Sequence, residues 1–275
     1  MTIENSLDDN EPAVVLLHGY PFDHSMWREQ AAFLMARDYR VIAPDLRGLG
    51  ETVAQTSVCA PSTPNHRLMS VPPTITTMAD MARDVATLMD ELKIVQAIIC
   101  GLSMGGYVAF EFVHLFPERV RALVLAGTRA PADNAQEKQA REEQAQRILA
   151  EGMTGIAEAT LPKLLAPRTL TEKPDVLRRV REMISRANPQ GAAAAQRGMA
   201  ARRDYSDDLS SIKVPTLIIV GRQDPIRPVA DAEFMHDRIQ GSRLEVIENA
   251  AHMTNMEQPE IFNRALQRLL MESQL

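Results

Sequence analysis

Cysteine is almost missing from this chain: Cys59 and Cys100 are the two in 275 residues. Two cysteines at that separation give neither a disulfide framework nor a metal-ligand spacing. Positive charge is not in excess either. A net charge of −6 argues against nucleic acid as a partner, because binding it needs a basic face that displaces counterions. No apolar run approaches the roughly 18 residues of a membrane span. The opening "MTIENSLDDNEP" is acidic and polar, unlike the basic and apolar regions of a secretory signal. No membrane association and a cytoplasmic location are therefore expected. Aromatic residues make up 4% of the chain, so Phe22 and Trp27, five positions apart, stand out. What remains, 45% hydrophobic and 24% charged residues, is the composition of an ordinary globule, long enough for one large α/β core.

Short apolar runs alternate with longer helical patterns, the rhythm of a parallel sheet covered on both faces. Strands are expected at "AVVLL" (13–17), "YRVIAPDL" (39–46), "AIIC" (97–100), "ALVLAG" (122–127), "TLIIVG" (216–221) and "LEVIENA" (244–250). Met78, Met81, Val85, Leu88, Met89 and Leu92 recur at three- and four-residue steps, which predicts a core-facing helix over 78–92. Ser25 is a candidate cap for a helix over 26–36, and Pro259 opens a closing helix over 259–273. Two stretches break the rhythm. Residues 51–76 hold four prolines and read as a long loop. Residues 130–205 have no strand pattern and favour helix throughout, as an insertion over one end of the sheet. This divides the chain into a core of 1–129 and 206–275 and a helical cap of 130–205. The basic runs at 178–181 and 201–203 read as solvated helix faces.

"GLSMG" (101–105) has the G-x-S-x-G pattern of a nucleophile elbow, with a strand before it and a helix after it. The chemistry explains the residue types: the serine must sit on a tight turn to project its hydroxyl, and side chains at 101 or 105 would strike neighbouring backbone. A serine hydroxyl needs a base. Of six histidines, His252 follows the last strand, and loops at the carboxyl ends of strands form the crevice of a doubly wound sheet. His18 ends a strand and reads as an imidazole bonded to loop backbone. The base in turn needs an acid to hold its tautomer. Asp224 follows a strand at the same edge and lies between serine and histidine in the chain, and Asp133 is the runner-up. Backbone N–H groups of Met104, the residue after the nucleophile, and Tyr20, in the loop after the first strand, are the candidate oxyanion donors. Phe22, Trp27 and Met253 are candidates to line the substrate pocket.

Together these residues resemble the α/β-hydrolase superfamily. "LLHGYPFDHSMW", "VIAPDLRGLGET", "GLSMGGYVAFEFVHLFPERVRALVLAG", "TLIIVGRQDPIRP" and "NAAHMTNMEQPEIFNRAL" fall in that family's order and at its usual intervals. Within it the chain looks similar to small bacterial serine esterases, 3-oxoadipate enol-lactonase-like hydrolases and cofactor-free perhydrolases. The resemblance implies a doubly wound, mostly parallel sheet with the helical cap inserted before the last two strands. It also implies Ser103, Asp224 and His252 as a triad, and Tyr20 and Met104 as the oxyanion hole, with no cofactor and no metal. One departure is "RGLGET", where the family usually carries a serine.

A serine at the elbow disfavours the dehalogenase and epoxide-hydrolase chemistries of this fold, which use aspartate there. The implied reaction is hydrolysis of a small carboxylic ester through an acyl-enzyme on Ser103. Enol-lactone or carbon–carbon bond hydrolysis and a perhydrolase side activity on the same triad are the alternatives. A non-catalytic binding protein of the same fold is the reading from a different class. The partner expected is a small-molecule ester or lactone. The sequence leaves the oligomeric state open, a homodimer included.

Overall fold

The computed structural model describes residues 13–50 and 74–272; most of the proline-containing loop expected at 51–76 lies outside them. Six strands form one sheet: β1 (Ala13–Leu17), β2 (Arg40–Ile42), β3 (Ala97–Leu102), β4 (Val120–Ala126), β5 (Thr216–Gly221) and β6 (Arg243–Ile247). Their order is β2-β1-β3-β4-β5-β6, and every neighbouring pair is parallel. Each residue of β1, β3 and β5 is buried. Continuous Val, Ile and Leu runs of this kind form strands because a parallel sheet is covered on both faces. Five helices cover it, among them α9 (Val229–His236), which lies against β5 and β6. Helix α1 (Arg28–Met35) packs against α11 (Pro259–Glu272), and α2 (Met78–Glu91) packs against α3 (Met104–Leu115). Helix α2 buries Met78, Met81, Val85 and Met89, as its spacing predicts, and starts with a capping box between Thr77 and Asp80. No helix among the described residues is long and apolar enough to cross a membrane.

Three local expectations need correction. Two strands stop early: β2 ends at Ile42 instead of running to Leu46, since Pro44 has no N–H to give to a ladder, and β6 ends at Ile247 instead of Ala250. Ser25 caps nothing: Asp23 caps the short turn His24–Trp27 that precedes α1, accepting the Ser25 N–H at 2.9 Å. The third correction is Arg202, whose side chain is buried and ion-paired rather than on a solvated face.

Between β4 and β5 lie α4 (Ala135–Glu151), α5 (Thr154–Leu164), α6 (Pro167–Glu172), α7 (Pro174–Arg186) and α8 (Pro189–Ala200). Their joints to the rest of the protein are specific. Arg179 of α7 pairs with Glu29 of α1, and Arg186 pairs with Asp23. The alanine- and glycine-rich sequence of α8 has a packing reason. A Cβ on Gly191 would lie 1.7 Å from the Gly48 carbonyl oxygen, and one on Gly198 would lie 1.7 Å from that of Thr76. Helix α8 thus rests directly on the loops that follow β2 and precede α2, a fit that only small residues permit.

Because the sheet is parallel, β1, β3, β4, β5 and β6 all end at one edge. In register Leu17 stands beside Gly101, Gly101 beside Leu125, Ala126 beside Ile219 and Gly221 beside Ile247. Loops leaving that edge carry Tyr20, Ser103, Asp133, Asp224 and His252, the setting in which open α/β sheets hold their ligands.

Candidate active site

Ser103 joins β3 to α3 with φ 56° and ψ −112°, a left-handed conformation that a residue with a Cβ adopts only under constraint. The constraint is close packing on both sides. A Cβ on Gly101 would lie 2.2 Å from the Gly105 carbonyl oxygen, and one on Gly105 would lie 2.1 Å from that of Leu17. Glycine at these two positions lets the first turn of α3 press against the ends of β3 and β1. The turn is fixed further by two hydrogen bonds to the end of β4: Ser103 N–H donates to Ala126 O at 2.8 Å, and Thr128 Oγ donates to Ser103 O at 3.0 Å. Ser103 stays partly exposed.

His252 and Asp224 are both buried. The imidazole Nδ1 lies 2.7 Å from Asp224 Oδ2. The other carboxylate oxygen, Oδ1, accepts the N–H groups of Ile226 at 2.8 Å and Arg227 at 2.9 Å, a turn that locks the side chain in place. A carboxylate facing Nδ1 keeps the ring proton there and leaves Nε2 free to accept one. The ring also packs on Gly127: a Cβ there would stand 3.4 Å from its Nδ1 and Cε1. His252 and Ser103 therefore flank the same short turn, Ala126 to Thr128. No hydrogen bond joins Ser103 Oγ to the imidazole; apo geometry of a serine–histidine pair is often looser than its working geometry.

The loop after β1 reaches the same place. His18 is fully buried, with its Nδ1 2.9 Å from Gly19 O and its Nε2 accepting the Leu46 N–H at 2.8 Å. Burial disfavours the charged ring and lowers its pKa, so His18 serves as a neutral brace, as its place in the sequence suggests. It holds Gly19 near the elbow, where a Cβ would be 3.3 Å from the Leu102 carbonyl oxygen. Neither the Tyr20 nor the Met104 N–H has an acceptor among the described residues, and Met104 opens α3 at the positive end of the helix dipole. Phe22, Trp27 and Met253 are all buried in the core. Phe22 lies two residues beyond Tyr20 and Met253 adjoins His252, while Trp27 packs on Phe262 of α11 with ring centroids 5.9 Å apart.

Asp133, the runner-up acid, is occupied elsewhere. Its carboxylate pairs with Arg129 at 2.7 Å, with Arg202 at 2.8 Å and with Arg141. Burial alone would raise its pKa, but the guanidiniums of Arg141 and Arg202 outweigh burial and hold it far below the usual carboxylate range. Sequence reasoning missed Tyr107 and Arg227. Arg227 donates through its backbone to Asp224, and its guanidinium donates to the Tyr107 hydroxyl at 2.5 Å. Tyr107 lies one helical turn after Ser103, and that spacing is the only signal the sequence offers. Among the described residues Asp23, His24 and Asp45 come within metal-binding reach of one another. Asp45 Oδ1 already takes the His24 N–H and Nδ1, each at 2.8 Å, and Asp23 takes Ser25 and Arg186, so the cluster acts as a fastening for this loop.

Comparison with known proteins bears on the family and the fold. The model of a family described as "alpha/beta hydrolase fold" matches residues 12–259. A 3-oxoadipate enol-lactonase of Acinetobacter baylyi is 33% identical over 261 residues, 95% of this chain and 89% of that protein. Among solved structures, a thermophilic esterase from Thermogutta terrifontis superposes with a TM-score of 0.86 at 38% identity, covering 95% of this chain and 90% of its own. The enol-lactonase of Burkholderia xenovorans LB400 does so with a TM-score of 0.81 at 29% identity, covering 95% and 92%. A match that spans the sheet, the elbow and the helices between β4 and β5 leaves one conclusion: the chain belongs to the α/β-hydrolase family and is a hydrolase.

Proposed function

We propose that this hydrolase cleaves a small carboxylic ester or lactone through an acyl-enzyme on Ser103, with Ser103, His252 and Asp224 as its triad. The observation that carries this reading is the 2.7 Å pairing of His252 with Asp224 beside the turn that anchors the strained Ser103. In this mechanism Ser103 Oγ attacks the acyl carbonyl while His252 Nε2 takes its proton. The oxyanion is received by the N–H groups of Tyr20 and Met104; each such donor lowers the barrier by about 2.7–4 kcal/mol. Collapse expels the alcohol, protonated by His252, and the imidazole then activates water to release the acid. Asp224 stabilises the imidazolium without taking its proton.

The substrate class follows from two supports. A serine nucleophile with backbone oxyanion donors suits acyl transfer, and the relatives carry the names enol-lactonase and esterase. In this reading the helices of residues 130–205 form a cap over the site, with Met253 beside the base and Phe22 beside the oxyanion loop as apolar lining. The test pairs p-nitrophenyl acetate with a fluorophosphonate probe. Wild type releases nitrophenol and is labelled, and Ser103→Ala does neither while its circular dichroism is unchanged. Undiminished hydrolysis by Ser103→Ala removes that residue from the mechanism. A wild type that neither releases nitrophenol nor is labelled would instead favour a binding protein, because a fluorophosphonate reacts only with an activated serine.

A further inference from the structure

A second buried carboxylate is bonded to the backbone directly beside His252. Glu257 closes the short helix α10 (Thr254–Glu257), five residues beyond the candidate base, and its side chain is fully buried. Oε1 accepts the N–H of Ala251, the residue directly before His252, at 2.7 Å. Oε2 accepts the N–H of Ala166 at 2.7 Å and the hydroxyl of Thr169 at 2.7 Å, both at the start of α6. The last residue of α5 adds to the joint, since Leu164 O accepts from His252 N–H at 3.1 Å and from Met253 N–H at 3.2 Å. Lys173 spends its ammonium on the main-chain carbonyl of Glu257 instead of the carboxylate.

The choice of glutamate here is costly. Burial penalises the charged form and raises its pKa, and no cation bonds directly to the carboxylate to repay that cost. What the charged form supplies is acceptors. All three groups around it are placed as donors, and only a carboxylate presents two acceptor oxygens at once. A neutral amide would satisfy one end and turn N–H against N–H at the other, and aspartate is one methylene too short to span the gap. Apolar packing alone would hold α6 against the core more cheaply. The geometry therefore asks for a function of the bridge itself.

We propose that Glu257 is a positioning residue for the base. One oxygen grips the backbone immediately ahead of His252 and the other grips the helical block, so the seating of α5 and α6 sets where the imidazole stands. This rests on the reading of His252 as the base. It ties substrate binding to catalysis, because a shift of these helices over the site is transmitted to the ring through the Glu257 carboxylate, alongside the direct backbone bond from His252 N–H to Leu164 O. Misplacing a catalytic group by about 1 Å can cost 10²-fold in rate.

The experiment compares Glu257→Gln and Thr169→Val with wild type, in the full chain, by three measurements: thermal midpoint, kcat and KM on p-nitrophenyl acetate, and the NMR signal of the His252 Cε1–H. Glu257→Gln is expected to lower kcat by about 10- to 100-fold with KM within about threefold and to shift the His252 signal. Thr169→Val, which keeps the Ala251 bond, shifts the same signal and lowers kcat by less. A lowered midpoint with wild-type kcat and an unmoved His252 signal makes Glu257 a purely structural group and overturns the proposal. If Glu257→Gln fails to fold, Thr169→Val decides by the same criteria. The NMR signal is read without turnover, so failure of wild type to hydrolyse the ester counts against the ester reading, and the tether is judged separately.

Discussion

Asp224 and Asp133 occupy similar places, each in the loop that follows a strand at the same sheet edge, and both are buried. Their surroundings could hardly differ more. Asp224 faces one imidazole and two backbone N–H groups, whereas Asp133 faces three guanidiniums. A carboxylate held by three arginines has its charge already neutralised and both oxygens engaged, so it has little left to orient a histidine. One whose only mobile partner is an imidazole can orient that ring and favour its protonated form. In the proposed mechanism burial does not distinguish the acid; the identity of the partners does.

The largest effect expected from breaking this contrast is at Asp224. In Asp224→Asn the remaining oxygen can keep the Ile226 and Arg227 bonds, so the fold persists. The new amide would donate to Nδ1, forcing the ring proton onto Nε2, where it cannot accept the proton of Ser103. A fall in kcat of about 10⁴-fold is expected, with a thermal midpoint near that of wild type. Retention of more than a tenth of wild-type kcat would mean that the acid lies elsewhere.

Asp133→Asn should do the reverse. It strands Arg129, Arg141 and Arg202 around a neutral amide, and breaking a buried ion pair typically costs about 3–5 kcal/mol. Chemical denaturation should show this loss, with kcat changed only as far as the fold is loosened. pH gives a second reading of the same residue. Its folded pKa lies far below the ordinary carboxylate value. The stability it contributes is therefore complete above the unfolded value of about 4 and is lost as pH falls through the window below it. Wild type should lose stability more steeply below about pH 4 than Asp133→Asn, and parallel acid limbs would contradict the pairing.

The same contrast explains what could be read in the sequence. Strands that are continuous apolar runs were legible because burial on both faces leaves no other pattern, and α2 was legible from its helical spacing. Ser103 was legible because its glycines are local: the clashes that exclude a side chain at 101 and 105 arise within a few residues or against the neighbouring strand. The order of serine, acid and base narrowed the acid to two. Strand-end position alone put Asp224 ahead; what occupies Asp133 stayed hidden, because Asp133 meets Arg141 and Arg202 only after α4 and α8 pack together. Arg202 escaped for the same reason, since a basic residue between an alanine and an arginine gives no sign of a buried partner. Glu257 sits in the quoted motif "NAAHMTNMEQPE", yet its role depends on Ala166 and Thr169, which the chain brings to it from the helical block. Local backbone constraint was readable; long-range choice of polar partner was not.

Tyr107 is where the two regions meet, and it offers the smallest and most discriminating perturbation. Its hydroxyl accepts from Arg227, whose backbone holds Asp224, while Arg202, the partner of Asp133, lies 4.1 Å over its ring. Burial would raise the pKa of this phenol, but the guanidiniums of Arg227, Arg202 and Arg141 outweigh burial and hold it below the ordinary tyrosine value. Tyr107→Phe keeps the ring under Arg202 and removes only the link to Arg227. Losing one hydrogen bond to a charged donor should cost about 1.5–3 kcal/mol of stability. If the acid is held mainly by its own turn, kcat falls by less than about threefold, since the backbone bonds to Asp224 Oδ1 survive and contribute most of the positioning. A loss approaching that of Asp224→Asn would show instead that the arginine knot and the acid act as one unit. The distinction between a structural and a catalytic carboxylate would then have to move from the two aspartates to the network that joins them.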